Sequence, residues 1–97
     1  MRVLITGGAG WIGSFAARAL VEHGHEVLSF GSTREIWRLQ PVPEVRPVRG
    51  DILDFPGLYE TVRSFQPERI VHLAAILKGE SERNPRTLLK VNCEGTL

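Results

Sequence analysis

One stretch constrains the fold more than any other. Arg2-Val3-Leu4-Ile5-Thr6 is a short apolar, β-prone run, and it gives way at once to Gly7-Gly8-Ala9-Gly10-Trp11-Ile12-Gly13. A strand that halts on clustered glycines and resumes as an amphipathic stretch can present backbone N–H groups to an anion. The turn tolerates positive φ, the bare backbone admits a close ligand, and the helix that follows aims its positive end at the ligand. Gly8, Gly10 and Gly13 fit G-x-G-x-x-G, and Thr6 with Gly7, Gly10 and Gly13 fits T-G-x-x-G-x-x-G. A nucleoside-triphosphate loop fits poorly, because Ser14 stands where its lysine belongs. Glycine spacing alone also describes an ordinary turn. A dinucleotide site further needs a strand before, a helix after and a second strand about twenty residues on.

The chain meets those requirements. Ile12, Phe15, Ala16, Ala19 and Leu20 recur at helical spacing over residues 11–23, and His23-Gly24 ends the run. Glu26-Val27-Leu28-Ser29-Phe30 reads as a second strand, which completes a β-α-β unit with parallel strands. Pro41, Pro43 and Pro47 punctuate an irregular segment in which Glu35 to Leu39 can form a helical turn carrying Trp37. Pro47-Val48-Arg49 reads as a third strand. Asp54 with Pro56 opens a second helix, buried through Leu58, Val62 and Phe65 and stopped by Pro67. Arg69 to Ala75 is almost continuously apolar, as in a strand covered on both faces. After a polar loop, Lys78 to Arg83, Asn84-Pro85 starts a helix marked by Leu88, Val91, Asn92 and Gly95, still running at Leu97. The order β-α-β-β-α-β-α predicts an α/β fold, a Rossmann-type doubly wound parallel sheet ending after its fourth strand and the following helix.

Composition narrows the function. The 97 residues make one domain, and 42% hydrophobic with 24% charged residues is ordinary for a folded globular chain. A net charge of +1 gives no bulk electrostatic case for nucleic acid or an anionic membrane. Leu73 to Leu77, the longest nonpolar stretch of the second half, is too short to span a bilayer. The single cysteine, Cys93, allows neither an internal disulfide nor a metal cluster. A reducing, cytoplasmic setting is the default expectation.

Several residues invite chemical readings. At the end of the second strand, where an acidic residue accepts from the adenosine ribose of NAD, the chain has Gly31-Ser32-Thr33-Arg34. Two hydroxyls and a guanidinium suit the 2′-phosphate of NADP, with Arg38 one helical turn beyond Arg34; Glu35 nearby could instead serve a ribose. Asp51, after the third strand, reads either as an acceptor for an adenine amino group or as a turn aspartate. His72, inside an apolar strand, reads as a packed, hydrogen-bonded histidine rather than a base. Trp11 and Trp37 read as packing residues and Cys93 as a small buried one.

Taken together, Thr6 to Gly13, Gly50-Asp51-Ile52, His72-Leu73-Ala74-Ala75, Asn84-Pro85 and Val91-Asn92-Cys93-Glu94-Gly95-Thr96 resemble the N-terminal part of an extended short-chain dehydrogenase/reductase, the NAD(P)-dependent epimerase/dehydratase family. The motifs follow the family's order over almost the whole chain. The resemblance implies a sheet order 3-2-1-4. It implies that Gly7, Gly10, Trp11, Ile12 and Gly13 hold the cofactor pyrophosphate, and that Asp51 and Ile52 contact adenine. Leu73, Ala74 and Ala75 would line the ribose and nicotinamide side, with Asn92 near the catalytic centre. Gly31 departs from the aspartate common in NAD-preferring members, so that NADP is favoured over NAD, with Ser32 and Arg34 as its readers.

The family's Tyr-x-x-x-Lys pair is missing. Tyr59 is the only tyrosine, and its fourth follower is Arg63. The chain is therefore expected to be the cofactor-binding part of a nucleotide-sugar epimerase, dehydratase or reductase, silent on its own and prone to associate through its fourth strand. A non-catalytic NAD(P) sensor is the rival reading. A flavin domain fits the glycines but lacks the acidic residue after the second strand. The resemblance leaves room for a homodimer. It does not specify the substrate beyond a small molecule of nucleotide-sugar type.

Overall fold

The structure, a computed structural model, describes residues 1–32, 36–75 and 85–97. Thr33, Arg34, Glu35, Lys78 and Asn84 lie outside the described residues, as does the side chain of Leu88. Strands β1 (Arg2–Thr6), β2 (Glu26–Gly31), β3 (Arg46–Arg49) and β4 (Arg69–His72) form one sheet of order β3-β2-β1-β4. All pairings are parallel, with Val3 opposite Val27 and Arg69, and Phe30 opposite Val48. This is the expected doubly wound arrangement. Pro47, which cannot donate to a ladder, sits on the edge strand β3, where that deficit is tolerated.

The central strands read as unbroken apolar runs because both of their faces are covered. Val3, Ile5 and Val27 pack with Ala17, Leu39, Val42 and Val45 on one face; Leu4, Leu28 and Phe30 pack with Phe65 on the other. The first face carries α1 (Trp11–Glu22) and a 3-10 turn (Ile36–Leu39), the second α2 (Phe55–Phe65). Right-handed crossovers to opposite sides of β1 put the helices on opposite faces.

α1 presents a face rotated by one residue from the one its hydrophobicity suggests. Gly13 and Ala17 are buried, and Ala16, Leu20 and Val21 flank them, whereas Ile12 and Phe15 are 69% and 58% exposed. Small residues let the helix axis approach the sheet; the larger ones could only point away.

α2 begins as its sequence suggests: the Asp54 carboxylate accepts from the Gly57 N–H at 3.3 Å, and a proline occupies the first turn. Asp54→Ala is expected to lower stability by about 1 kcal/mol, read by urea denaturation. α2 closes on Gln66, at φ 54°.

β4 is shorter and more open than its apolar sequence implies. It ends at His72, and Ile70 is 55% exposed on a strand that, among the described residues, pairs only with β1. The last helix, α3 (Pro85–Leu89), does not run on to Leu97 but widens into a π-turn, Lys90–Glu94.

Candidate cofactor-binding site

The sheet gathers the sequence motifs at one end. Gly7 follows β1, Gly31 closes β2, Gly50-Asp51 follows β3 and Leu73 follows β4. In an open parallel sheet this carboxyl edge, where successive crossovers leave to opposite faces, is where ligands bind. With the order β3-β2-β1-β4, that point lies between β1 and β4.

The glycine loop fills it. Gly7 has φ 75°, a left-handed conformation that glycine adopts without strain, and its N–H bonds to the Phe30 carbonyl at 2.9 Å. A Cβ on Gly7 would lie 3.0 Å from the Ala74 nitrogen, so the loop also abuts the segment after β4. Gly13 faces back into the loop: a Cβ there would overlap the Gly7 carbonyl oxygen and come within 2.8 Å of the Gly8 Cα. Gly10 is different. A Cβ on it would meet only the Gly7 oxygen, at 3.2 Å, and its remaining surroundings are open. Gly10 is the N-cap of α1, and no side chain caps that end. The first-turn N–H groups of α1 therefore face an open space beside a bare backbone, an arrangement suited to a pyrophosphate.

The flanking residues take up distinct positions. Trp11, 68% exposed, meets Phe15 edge-on at 5.8 Å. The Arg38 guanidinium stands 5.6 Å from the Trp11 ring and 5.0 Å from the Trp37 ring, so both indoles hold a cation and neither is core. Ser32 is exposed and shares a shallow cleft with Ala9, Ser29 and Gly31, beside the 3-10 turn. The remaining arm of that cluster, Arg34, lies outside the described residues.

Asp51 is exposed, and its carboxylate accepts the Leu53 N–H at 2.9 Å. It is a turn aspartate whose outer face stays open to solvent, so the two readings of its sequence position are compatible. Ile52 packs against Gly95, where a Cβ would lie 2.9 Å from Ile52 Cγ2. This contact joins the segment after β3 to the chain end. Ala74 is half-buried; Leu73 and Ala75 are exposed. Asn92 sits half-buried on the π-turn, and its carbonyl accepts from the Thr96 hydroxyl at 2.8 Å. Cys93 is exposed rather than buried, because the π-turn places it on the outer side.

Thr6, His72 and Thr96 escape sequence reasoning as site residues. Thr6 Oγ1 lies 2.6 Å from His72 Nδ1, and His72 Nε2 lies 2.9 Å from Thr96 Oγ1. His72 is hydrogen-bonded as expected, but exposed rather than packed in the core, since β4 is an edge. The available signal was Thr6 itself, a hydroxyl placed immediately before the glycines.

Among the described residues no group of His, Cys, Asp or Glu could hold a metal ion, and no helix is long and apolar enough to cross a membrane.

Known proteins share this architecture. The family model described as GDP-mannose 4,6 dehydratase matches residues 4–97. A probable dTDP-glucose 4,6-dehydratase of Sinorhizobium fredii is 38% identical over 81 residues, covering 77% of this chain and 23% of its own. A UDP-glucose 4-epimerase of Corynebacterium glutamicum is 38% identical over 86 residues, covering 88% of this chain and 26% of its own. The crystal structure of the Bordetella bronchiseptica enzyme WbmG in complex with NAD superposes with a TM-score of 0.89 at 32% identity, over 99% of this chain and 31% of that one. The chain thus spans about a quarter of the length of these two curated relatives. With the glycine loop, the strand order and the family match in agreement, the chain belongs to the GDP-mannose 4,6 dehydratase family, within the extended short-chain dehydrogenase/reductases that its motifs resemble.

Proposed function

We propose that the chain is the NAD(P)-binding portion of a nucleotide-sugar epimerase, dehydratase or related reductase. The observation that carries this reading is the uncapped N-terminus of α1, set over the open side of Gly10 where the crossovers diverge. In this reading Gly7, Gly10, Trp11, Ile12 and Gly13 receive the pyrophosphate. Asp51 and Ile52 meet the adenine, and Leu73, Ala74 and Ala75 line the ribose and nicotinamide side, where small residues permit close approach. Asn92 stands towards the reacting end. The bound nicotinamide would accept and return a hydride; this chain's own residues bind it and orient it.

A tyrosine–lysine pair for proton transfer would come from residues other than these, so the 97-residue chain is expected to be inactive alone, acting as one part of a cytoplasmic enzyme with a nucleotide-sugar substrate. Pairing with a second copy belongs to the same reading.

The cofactor is proposed to be NADP in preference to NAD. Gly31 and Ser32 leave no carboxylate at the end of β2 to repel a 2′-phosphate, and Arg34 stands two residues further on in the sequence. Calorimetry is expected to show 1:1 binding with NADP tighter by about tenfold, the scale of one charge-assisted hydrogen bond. Arg34→Ala should remove most of that difference. Equal affinities, or tighter NAD, in the unmodified protein would refute the preference; binding of neither would refute the site.

A further inference from the structure

We propose that His72 is a positioning residue, held as the Nε2–H tautomer, whose Nδ1 accepts a hydrogen bond from the Thr6 hydroxyl and so leaves the Thr6 oxygen to fix the Leu73 and Ala74 amides beside the glycine loop. The inference rests on counting donors and acceptors. A threonine hydroxyl has one proton and two lone pairs. Thr6 Oγ1 accepts the Ala74 N–H at 3.3 Å. It also accepts the Leu73 N–H at 3.1 Å, which that amide shares with the Thr6 carbonyl at 3.0 Å. Both lone pairs are engaged, so the hydroxyl proton must point at His72 Nδ1, 2.6 Å away, and Nδ1 must be the bare nitrogen.

The other side of the ring agrees independently. Thr96 Oγ1 donates its proton to the Asn92 carbonyl at 2.8 Å, which leaves it only an acceptor for His72 Nε2 at 2.9 Å. The ring therefore carries its proton on Nε2. From Asn92 to the amides after β4, every bond has one permitted direction. The opposite tautomer would set two donors against each other at Thr6 and two acceptors against each other at Thr96.

The consequence falls on the segment that carries Leu73 and Ala74. It abuts Gly7 closely enough that a Cβ there would lie 3.0 Å from the Ala74 nitrogen, so any rotation of the Thr6 hydroxyl away from these amides loosens the wall beside the loop. That this wall faces the cofactor rests on the functional reading above; the tautomer does not.

Long-range proton–nitrogen NMR correlation on the intact protein, with the His72 signal assigned by its loss in His72→Phe, is expected to show one tautomer, protonated at Nε2. A mixture, or protonation at Nδ1, would overturn the proposal. Thr6→Ser, which keeps the hydroxyl, should keep the Nε2–H tautomer, and a switch to Nδ1 in that variant would overturn the proposal. His72→Phe should weaken cofactor binding and speed exchange of the Leu73 and Ala74 amide protons, each by about three- to tenfold, the scale of one hydrogen bond. Unchanged exchange in His72→Phe would overturn the positioning role. If the unmodified protein bound neither cofactor, the functional reading would fail, while the tautomer and the exchange rates would still decide this proposal.

Discussion

Gly13→Val is expected to destabilise the protein by about 3 kcal/mol, at the upper end of overpacking effects. The cause is backbone against backbone. A Cβ at residue 13 overlaps the Gly7 carbonyl oxygen and crowds the Gly8 Cα, and neither atom belongs to a side chain that could swing away. Relief requires α1 to lift from the loop, and lifting it opens the contacts of Ala17 with Val3, Ile5 and Val27. In a domain of 97 residues, with a total stability of roughly 5–15 kcal/mol, the loss is a large fraction of what holds the fold. Guanidinium denaturation followed by circular dichroism checks it. A midpoint unchanged from the unmodified protein would mean that α1 does not rest on the loop through Gly13.

The clash at Gly13 also explains where sequence reasoning about α1 slipped. Two apolar stripes one residue apart run along this helix, and the one containing Ile12 and Phe15 carries the larger side chains. Hydrophobicity favours that stripe; packing selects the one through Gly13 and Ala17, because a helix that follows a tight glycine turn must lie close to the strand it has just left. The information was present in Gly13, but as an absence of volume rather than as hydrophobicity. β4 carries two readings. Its apolar sequence suits a strand covered on both faces, whereas the order 3-2-1-4 that the resemblance implies makes it an edge, and among the described residues it pairs with β1 alone.

Other features were legible because one residue type has one use. Asp54 followed by Pro56 marks a helix start, and the structure has one there. The motifs after β1, β2, β3 and β4 were readable separately as sequence, while their convergence on a single edge follows from parallel strands and right-handed crossovers. The hydrogen bonds joining Thr6, His72 and Thr96 were not readable. They link residues far apart in the chain, and their direction depends on how many partners a single hydroxyl already has.

Gly10→Val separates the fold from the site. Gly10 has φ −72° and ψ 178°, an extended conformation open to any residue, so valine introduces no backbone strain. A Cβ there meets only the Gly7 oxygen, at 3.2 Å, a contact relieved by a shift of a few tenths of an ångström. The remaining two methyl groups project into the space at the head of α1. There they would occupy the position proposed for the pyrophosphate and screen the first-turn N–H groups from it. Affinity for NAD and NADP is expected to fall by about a hundredfold or more, equivalent to roughly 2.7 kcal/mol, while stability falls by less than about 1 kcal/mol. Calorimetry with both cofactors, paired with thermal unfolding of the same sample, checks the two halves together. A folded variant that bound either cofactor normally would place the pyrophosphate elsewhere. Because Gly10→Val and Gly13→Val alter the same loop three residues apart, opposite outcomes in the two variants would identify the outer side of the loop as the binding surface and its inner side as the support for α1.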